Sequence, residues 1–317
     1  STSNYDFFHF LIFTLKINFS IVEYIYIMSI TRQNLSVIIV SYKSEYVIEN
    51  CINSIDNEIE IIVIDNSDDD VLKKKIESKY KNVKYFLSKK NLGMGAANNL
   101  GIKKIDRDFA FILNPDVTLE SNSINEIFIA SKEIDNFGII APLSNKDQYP
   151  NYILKRGHNF DPVKPFKVKS VDGYAMILNL KKLKKIDNFN FFDENFFLYL
   201  ENEDLCKRLI EINEEIYVIP KSKIDHLGGK AVDPKYRNEI EYLRNWHWMW
   251  SKFYFNKKHY GYAIAVLKIF KNLISAKIKF FYYLITLNTF KRKIYQMRLL
   301  GLISSMIGKN SYYRPKI

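Results

Sequence analysis

Two cysteines in 317 residues are too few to staple a fold. Cys51 and Cys206 both fall in helix-like segments among apolar neighbours and read as reduced core residues of a cytosolic protein. The glycine fingerprint of dinucleotide-binding folds is missing, because Ser41-Tyr42-Lys43-Ser44 follows the first strand-like run; this disfavours a nicotinamide or flavin cofactor. Residues 1–27 are apolar and aromatic, yet Lys16, Asn18, Ser20 and Glu23 interrupt them, so no clean membrane-spanning run results. A basic leader region and a small-residue cleavage site are also missing, which argues against a secretory signal. Acids are nearly absent from residues 240–317, which hold fifteen lysines and arginines against Glu241 alone. The formal net charge of +12 therefore resides in this tail, while the preceding residues are close to neutral. No recognised nucleic-acid-binding module accompanies the tail, so an anionic membrane surface is the expected partner and nucleic acid is not.

What is present is a regular alternation of strand and helix patterns. Residues 35–42 form an apolar strand-like run, residues 45–56 place Val47, Ile48, Cys51, Ile52 and Ile55 on one helical face, and residues 59–64 form a second strand ending at Asp65-Asn66-Ser67. Such a strand, helix, strand unit predicts a parallel pair. Asp65 lies where nucleotide-binding α/β folds keep an acid for a ribose or base. After a basic helix (71–80) and a third strand (83–87) comes Asn91-Leu92-Gly93-Met94-Gly95-Ala96-Ala97-Asn98-Asn99-Leu100-Gly101. Its small residues let a backbone approach another group closely, and a helix starting near Gly95 would aim N–H groups at an anion.

The run Phe109-Ala110-Phe111-Ile112-Leu113 reads as a strand buried on both faces, with Asn114-Pro115-Asp116 just beyond its C-terminal end. Ligands of open α/β sheets bind at that edge, and a carboxylate two residues from an amide suits a hard divalent cation, although Asn-Pro-Asp also suits a plain turn. A helix (121–134), a strand (138–141), a long irregular crossing (142–170) and a strand (172–178) follow. Glu201, Glu203 and Asp204 then open a helix behind the apolar run Phe196-Phe197-Leu198-Tyr199-Leu200. These acids suit either catalysis or the helix dipole. A strand (215–219) precedes His226, whose neighbours Gly228-Gly229 would leave it facing a backbone-lined space. The expected units are an N-terminal extension (1–34), with Met28 as the true start and upstream residues translated in error, an α/β domain (35–239) and a basic helical region (240–317). In residues 263–285, Lys268, Lys271, Asn272, Ser275 and Lys279 share a narrow stripe, while Leu267, Phe270, Ile274, Ile278, Phe281 and Ile285 form a broad apolar surface. That pattern fits a helix lying in a membrane interface, or a packed or dimeric helix.

In this order the segments resemble the family 2 glycosyltransferases of the GT-A fold, in their rhamnosyltransferase-like branch. The residues that carry the resemblance are Val37-Ile38-Ile39-Val40-Ser41-Tyr42, Val63-Ile64-Asp65-Asn66-Ser67, Asn91 through Gly101, Leu113-Asn114-Pro115-Asp116, Phe192-Asp193-Glu194, the stretch from Glu201 to Arg208, and His226-Leu227-Gly228-Gly229. The resemblance implies an α/β fold with a mixed, mostly parallel sheet flanked by helices. It implies an inverting enzyme that moves a sugar, with rhamnose a candidate, from a nucleoside-diphosphate donor to a saccharide acceptor that is lipid-linked, at the inner face of the cell membrane. Ser41, Tyr42, Asp65, Asn66, Asn91, Gly93, Gly95, Asn98 and Asn114 would serve the donor, and Gly173, Asp193 and Glu194 the acceptor side. Asp116 and His226 would hold Mg²⁺ or Mn²⁺. Two departures stand out: Asn114 replaces the first acid of the common Asp-x-Asp, and Asn202 stands where relatives often carry an acid. Asn202 cannot take a proton, so the base falls to Glu201, Glu203 or Asp204, or the chain is a sugar-nucleotide or polysaccharide-binding scaffold with impaired catalysis. Partial burial behind the apolar run favours Glu201, and backbone N–H groups at the helix start favour a structural Asp204.

Overall fold

The structure, a computed structural model, describes residues 29–315 apart from 69, 147–149 and 186–188, so the expected start at Met28 lies outside the described residues. The chain begins with alternating strands and helices: β1 (Leu35–Ser41), α1 (Ile48–Asn53), β2 (Glu60–Asp65), α2 (Val71–Lys79), β3 (Val83–Leu87), α3 (Met94–Ile102) and β4 (Phe109–Leu113). β1 pairs in parallel with both β2 and β4, and β2 with β3. Every residue of β1 and β4 is buried. Alternate side chains feed two cores: Val37, Ile39, Val63 and Phe111 on one face of the sheet, Ile38, Val40, Ile64 and Ile112 on the other. Each such side chain contributes roughly 1.5–3 kcal/mol on burial, which fixes the register because a one-residue slip would exchange the faces.

The second half of the sheet is mixed. β5 (Val117–Leu119), α4 (Ser123–Glu133), β6 (Ile139–Ser144), β7 (Tyr152–Leu154), β8 (Phe166–Val171), β9 (Ala175–Asn179), α5 (Leu180–Leu183), α6 (Glu201–Glu211) and β10 (Ile216–His226) follow in sequence. The sheet order is β3-β2-β1-β4-β9-β6-β10-β8-β7, with β5 against β10. β9 runs antiparallel between β4 and β6. The crossing at 142–170 is not irregular throughout, since it holds the edge strand β7 and most of β8, which pair antiparallel. β10 also runs past the expected end at 219, through an irregularity between Ile219 and Lys223 that accommodates Pro220, and so carries His226 up beside Val117.

Three helices complete the described chain: α7 (Arg237–Tyr260), α8 (Tyr262–Ile285) and α9 (Thr289–Met306). The boundary expected at residue 240 falls inside α7, which packs on the α/β body. Trp246, Trp250 and Phe253 are buried, His247 stacks on Phe197 with 4.5 Å between ring centroids, and the Ser251 hydroxyl donates to the Leu198 carbonyl at 2.8 Å. α9 presses on α7 closely enough that a Cβ at Gly301 would lie 2.1 Å from the Trp246 carbonyl oxygen. α8 buries only Ala265, Ile269 and Ala276, leaving the apolar residues of its opposite face exposed. Among the described residues no helix is long and apolar enough to cross a membrane.

Candidate active site

The C-terminal ends of β1, β2 and β4 open onto a cavity of about 440 Å³ whose far wall is built from the residues before α6 and from α7. Beyond β4 the chain turns at once. The Asn114 N–H donates to the Tyr174 carbonyl and the Val117 N–H closes the turn on the Asn114 carbonyl at 3.1 Å. Asp116 is thereby held 3% exposed at the cavity wall. Its Oδ2 accepts from the Lys230 N–H at 3.3 Å, and Oδ1 stands 3.4 Å from His226 Nε2 without a hydrogen bond. The His226 ring is fixed by stacking on Tyr174 at 3.9 Å. Asn114 Oδ1 is likewise buried and unpartnered.

These donors fit a hard divalent ion, because two unsatisfied buried oxygens and one imidazole line the same cavity, with the imidazole beside the carboxylate. Among the described residues no cluster of three or more His, Cys, Asp or Glu side chains is arranged for a metal. An ion here would complete its shell with phosphate oxygens and water, as Mg²⁺ does when it is bound through few carboxylates.

The three carboxylates at the start of α6 occupy three different environments. Glu201 lines the cavity; it is 9% exposed, and its Oε2 has no partner. Burial, reinforced by the nearby charge of Glu203, pushes its pKa up to about 7 against the pull of a backbone hydrogen bond. Glu203 lies outside the cavity lining, and burial followed by repulsion from Asp172 raises its pKa. Asp204 is fully buried and accepts from Arg208 Nε at 2.8 Å, Lys258 Nζ at 2.7 Å and His259 Nε2 at 2.9 Å, so its charge ties α6 to α7. Asn202 donates to the Val171 carbonyl at 2.8 Å and packs against Gly173, where a Cβ would come within 3.0 Å of its own. Its amide braces the Asp172-Gly173 turn at the cavity rim.

Of the residues expected at the donor, Tyr42, Asn66, Asn91, Gly93 and Asn114 line this cavity, as does Gly173 from the acceptor set. Gly93, at φ +83°, admits the Phe197 carbonyl so closely that no side chain would fit, and the Met94 N–H donates to that carbonyl at 2.8 Å. The start of α3 is thus joined to the segment before α6, and its first N–H is not left for an anion. Ser41, Asp65, Gly95 and Asn98 do not line the cavity. Asp65 is 1% exposed, with Oδ2 accepting from the Tyr85 hydroxyl at 2.7 Å and Oδ1 from the Ser67 N–H at 3.0 Å, so it shapes the Asp65-Asn66-Ser67 turn from behind. Gly95 packs on Phe192 and Phe196, and Asn98 is buried within α3. Asp193 and Glu194 lie at a separate cavity of about 650 Å³ beside Arg208 and Lys258. There Asp193 accepts from Lys258 at 2.7 Å and Tyr254 at 3.0 Å, and Glu194 from Asn99 at 3.0 Å. Asp172, Tyr174, Tyr199 and Arg244 also line the cavity and are among the residues that escaped the sequence reading. An acid before a glycine at a strand start was the available signal for Asp172. Arg244 was counted as one more charge of the basic tail.

Comparison with known proteins meets this geometry. Residues 36–194 match the profile of the family described as Glycosyl transferase family 2. The chain belongs to this family. A low-salt glycan biosynthesis hexosyltransferase, Agl10 of Haloferax volcanii, is 30% identical over 218 residues, which cover 63% of this chain and 68% of that protein. Among solved structures, GalNAc-T7 with UDP, GalNAc and Mn²⁺ superposes with a TM-score of 0.52 at 15% identity, over 76% of this chain and 57% of that one. S. aureus TarS 1–349 in complex with UDP aligns over 90% of this chain and 94% of that one, at 16% identity and a TM-score of 0.48. The mixed sheet and its flanking helices are the GT-A fold, and this family 2 member is a glycosyltransferase. The family match ends at residue 194, so Glu201, His226 and Arg244 are contributed by the segments beyond it.

Proposed function

We propose that the chain is a metal-dependent, inverting glycosyltransferase that moves a sugar from a nucleoside-diphosphate donor to a saccharide acceptor in cell-surface polysaccharide synthesis. The observation that carries this reading is the meeting, in one cavity, of an unpartnered buried Asp116 oxygen opposite His226 and an unpartnered buried Glu201 oxygen. Mg²⁺ or Mn²⁺, held by Asp116 and His226 with Asn114 beside them, would supply positive charge against the departing diphosphate. Glu201 takes the proton from the acceptor hydroxyl as its oxygen bonds to the anomeric carbon. The carbon–oxygen bond to the diphosphate breaks with its electron pair on phosphate, and a single displacement inverts the centre. Tyr42, Asn66 and Asn91 line the wall on which the nucleoside would rest. Rhamnose remains the sugar suggested by resemblance. The scaffold reading rested on Asn202 and Asn114; Asn202 is engaged by the Val171 carbonyl, and Glu201 offers a free carboxylate oxygen beside it, which supports the enzyme. Incubating the chain with a panel of nucleotide sugars and Mn²⁺, with and without lipid-linked saccharide, tests the proposal; donor that is bound and never turned over would favour the scaffold.

The exposed face of α8 supports an acceptor at an anionic membrane. Leu267, Phe270, Ile278, Phe281 and Ile285 are 56–80% exposed on the face opposite its buried alanines, with Lys268, Lys271 and Lys279 alongside. Deleting the tail would strip the α9 cover from Trp246, so substitution is the cleaner probe. Replacing Phe270, Ile274 and Ile278 together by glutamine is expected to cut binding to phosphatidylserine-containing vesicles at least tenfold, and raised salt to weaken the parent. A parent chain that ignores such vesicles at low salt overturns the membrane assignment.

A further inference from the structure

Arg244 is the only lysine or arginine among the described residues that line the cavity, whose other charged walls are Asp116, Asp172 and Glu201. Its guanidinium is held from two sides: Nε donates to the Tyr199 hydroxyl at 2.7 Å and Nη1 to Glu241 at 3.2 Å. The planar group lies against Gly229, where a Cβ would come within 2.8 Å of Nη1 and 3.2 Å of Nη2. The next residue in that turn, Lys230, gives its N–H to Asp116 Oδ2. The cation is therefore seated one residue from the loop that touches the proposed metal carboxylate. Gly229 has φ +70°, so both the backbone and the approach of the guanidinium require glycine there.

We propose that Arg244 contacts the donor's diphosphate and stabilises the negative charge that gathers on it as the bond to the sugar breaks. This inference rests on the reading of the cavity as a nucleoside-diphosphate sugar site. Three acids and one arginine cannot favour an anion by net charge alone. The guanidinium nonetheless offers a planar fork of donors that matches phosphate oxygens, in a wall that excludes part of the water. The same side chain positions the base. Tyr199 and Leu200 hold left-handed backbone at φ +71° and +67°, a conformation that persists only when its surroundings enforce it. Glu201 follows directly. α7 thus supplies the leaving-group contact and braces the segment that presents the base.

The test uses the full chain with Mn²⁺ and a panel of UDP, GDP, dTDP and CDP, each beside its nucleoside, by calorimetry. With the diphosphate that binds the parent best, Arg244→Gln is expected to weaken affinity at least tenfold and lower kcat roughly a hundredfold, the scale of losing one donor to developing charge. Its affinity for the matching nucleoside should be unchanged. Tyr199→Phe, which keeps the cation, should leave diphosphate affinity near the parent value and lower kcat only. If Arg244→Gln does not fold, Arg244→Lys decides, with an expected loss of at least threefold because the fork is gone. Parent-like diphosphate affinity in the folded glutamine or lysine variant overturns the inference and leaves the donor site standing. A loss confined to transfer, with diphosphate binding intact, overturns it also and assigns the cation to the acceptor. A parent chain that binds none of the four diphosphates overturns the donor reading and this inference together.

Discussion

Glu201→Gln is expected to abolish sugar transfer and, above neutral pH, to make the protein more stable. The first effect follows from removing the only unpartnered carboxylate of α6 that lines the cavity; loss of a general base lowers turnover roughly 10²–10⁴-fold. Donor binding should survive, since Gln keeps the shape. The second effect follows from burial. Glu201 has a folded pKa of about 7 against an ordinary 4.5, so the native state holds its proton more tightly than the unfolded chain does. Its contribution to stability is complete below pH 4.5, is lost as pH rises from there to 7, and stays lost above. The deficit at pH 8 is about 3 kcal/mol at roughly 1.4 kcal/mol per pKa unit. Glutamine escapes it, so the variant should melt about 5 °C above the parent at pH 8 and near the parent at pH 4.5. In the parent, kcat/KM should climb through pH 7 and level off. Glu203→Gln should be milder, and Asp204→Asn should destabilise the fold because Arg208, Lys258 and His259 lose a buried partner. An active Glu201→Gln enzyme hands the role to Glu203 or Asp204; parent rates in all three variants would remove the cluster from the mechanism.

The difference between those three acids shows where sequence reading reached and where it stopped. Their existence, and the favoured role of Glu201, followed from an apolar run in front of a helix start, a local pattern. The ion pairs that commit Asp204 to structure come from Lys258 and His259, more than fifty residues away on α7, and no local pattern announces them. Strands buried on both faces, β1 and β4 above all, were legible because both faces demand apolar residues, and all of β1 to β4 appear within a residue or so of where the sequence pattern placed them. The strands that were missed, β5, β7 and β8, are short or lie toward the sheet edge: β5 and β7 are too brief for a period to register, and the apolar/basic alternation Phe166-Lys167-Val168-Lys169 of β8 was absorbed into the long crossing. Asp65 had the right type at the right strand end, but the acceptance of Tyr85 and Ser67 turns it inward, which depends on the neighbouring strand. Arg244 was hidden by arithmetic. Counting charge over residues 240–317 merged α7, whose Trp246 and Trp250 are buried, with α8, whose phenylalanines are not.

Asp116→Asn is expected to reduce turnover at least a thousandfold without lowering the melting temperature. Asparagine can still accept from the Lys230 N–H with one oxygen, so the turn between β4 and β5 keeps its tie to the residues after β10. What is lost is the negative charge beside His226, and with it the attraction for a divalent ion that the unpartnered Oδ1 provides. The folded state should gain slightly, because an uncompensated buried carboxylate is removed. The metal assignment has a readout apart from activity: in the parent, Mn²⁺ should tighten nucleoside diphosphate binding at least tenfold, and EDTA should reverse it. In Asp116→Asn the diphosphate affinity should be the same with and without the ion. His226→Ala should weaken the response to Mn²⁺ less severely, since a neutral imidazole contributes a ligand and no charge. Full activity of the parent in EDTA, or an Mn²⁺ response preserved in Asp116→Asn, would remove the ion from this carboxylate. The developing charge on the diphosphate would then be left to Arg244 and the backbone of the Gly228-Gly229 turn.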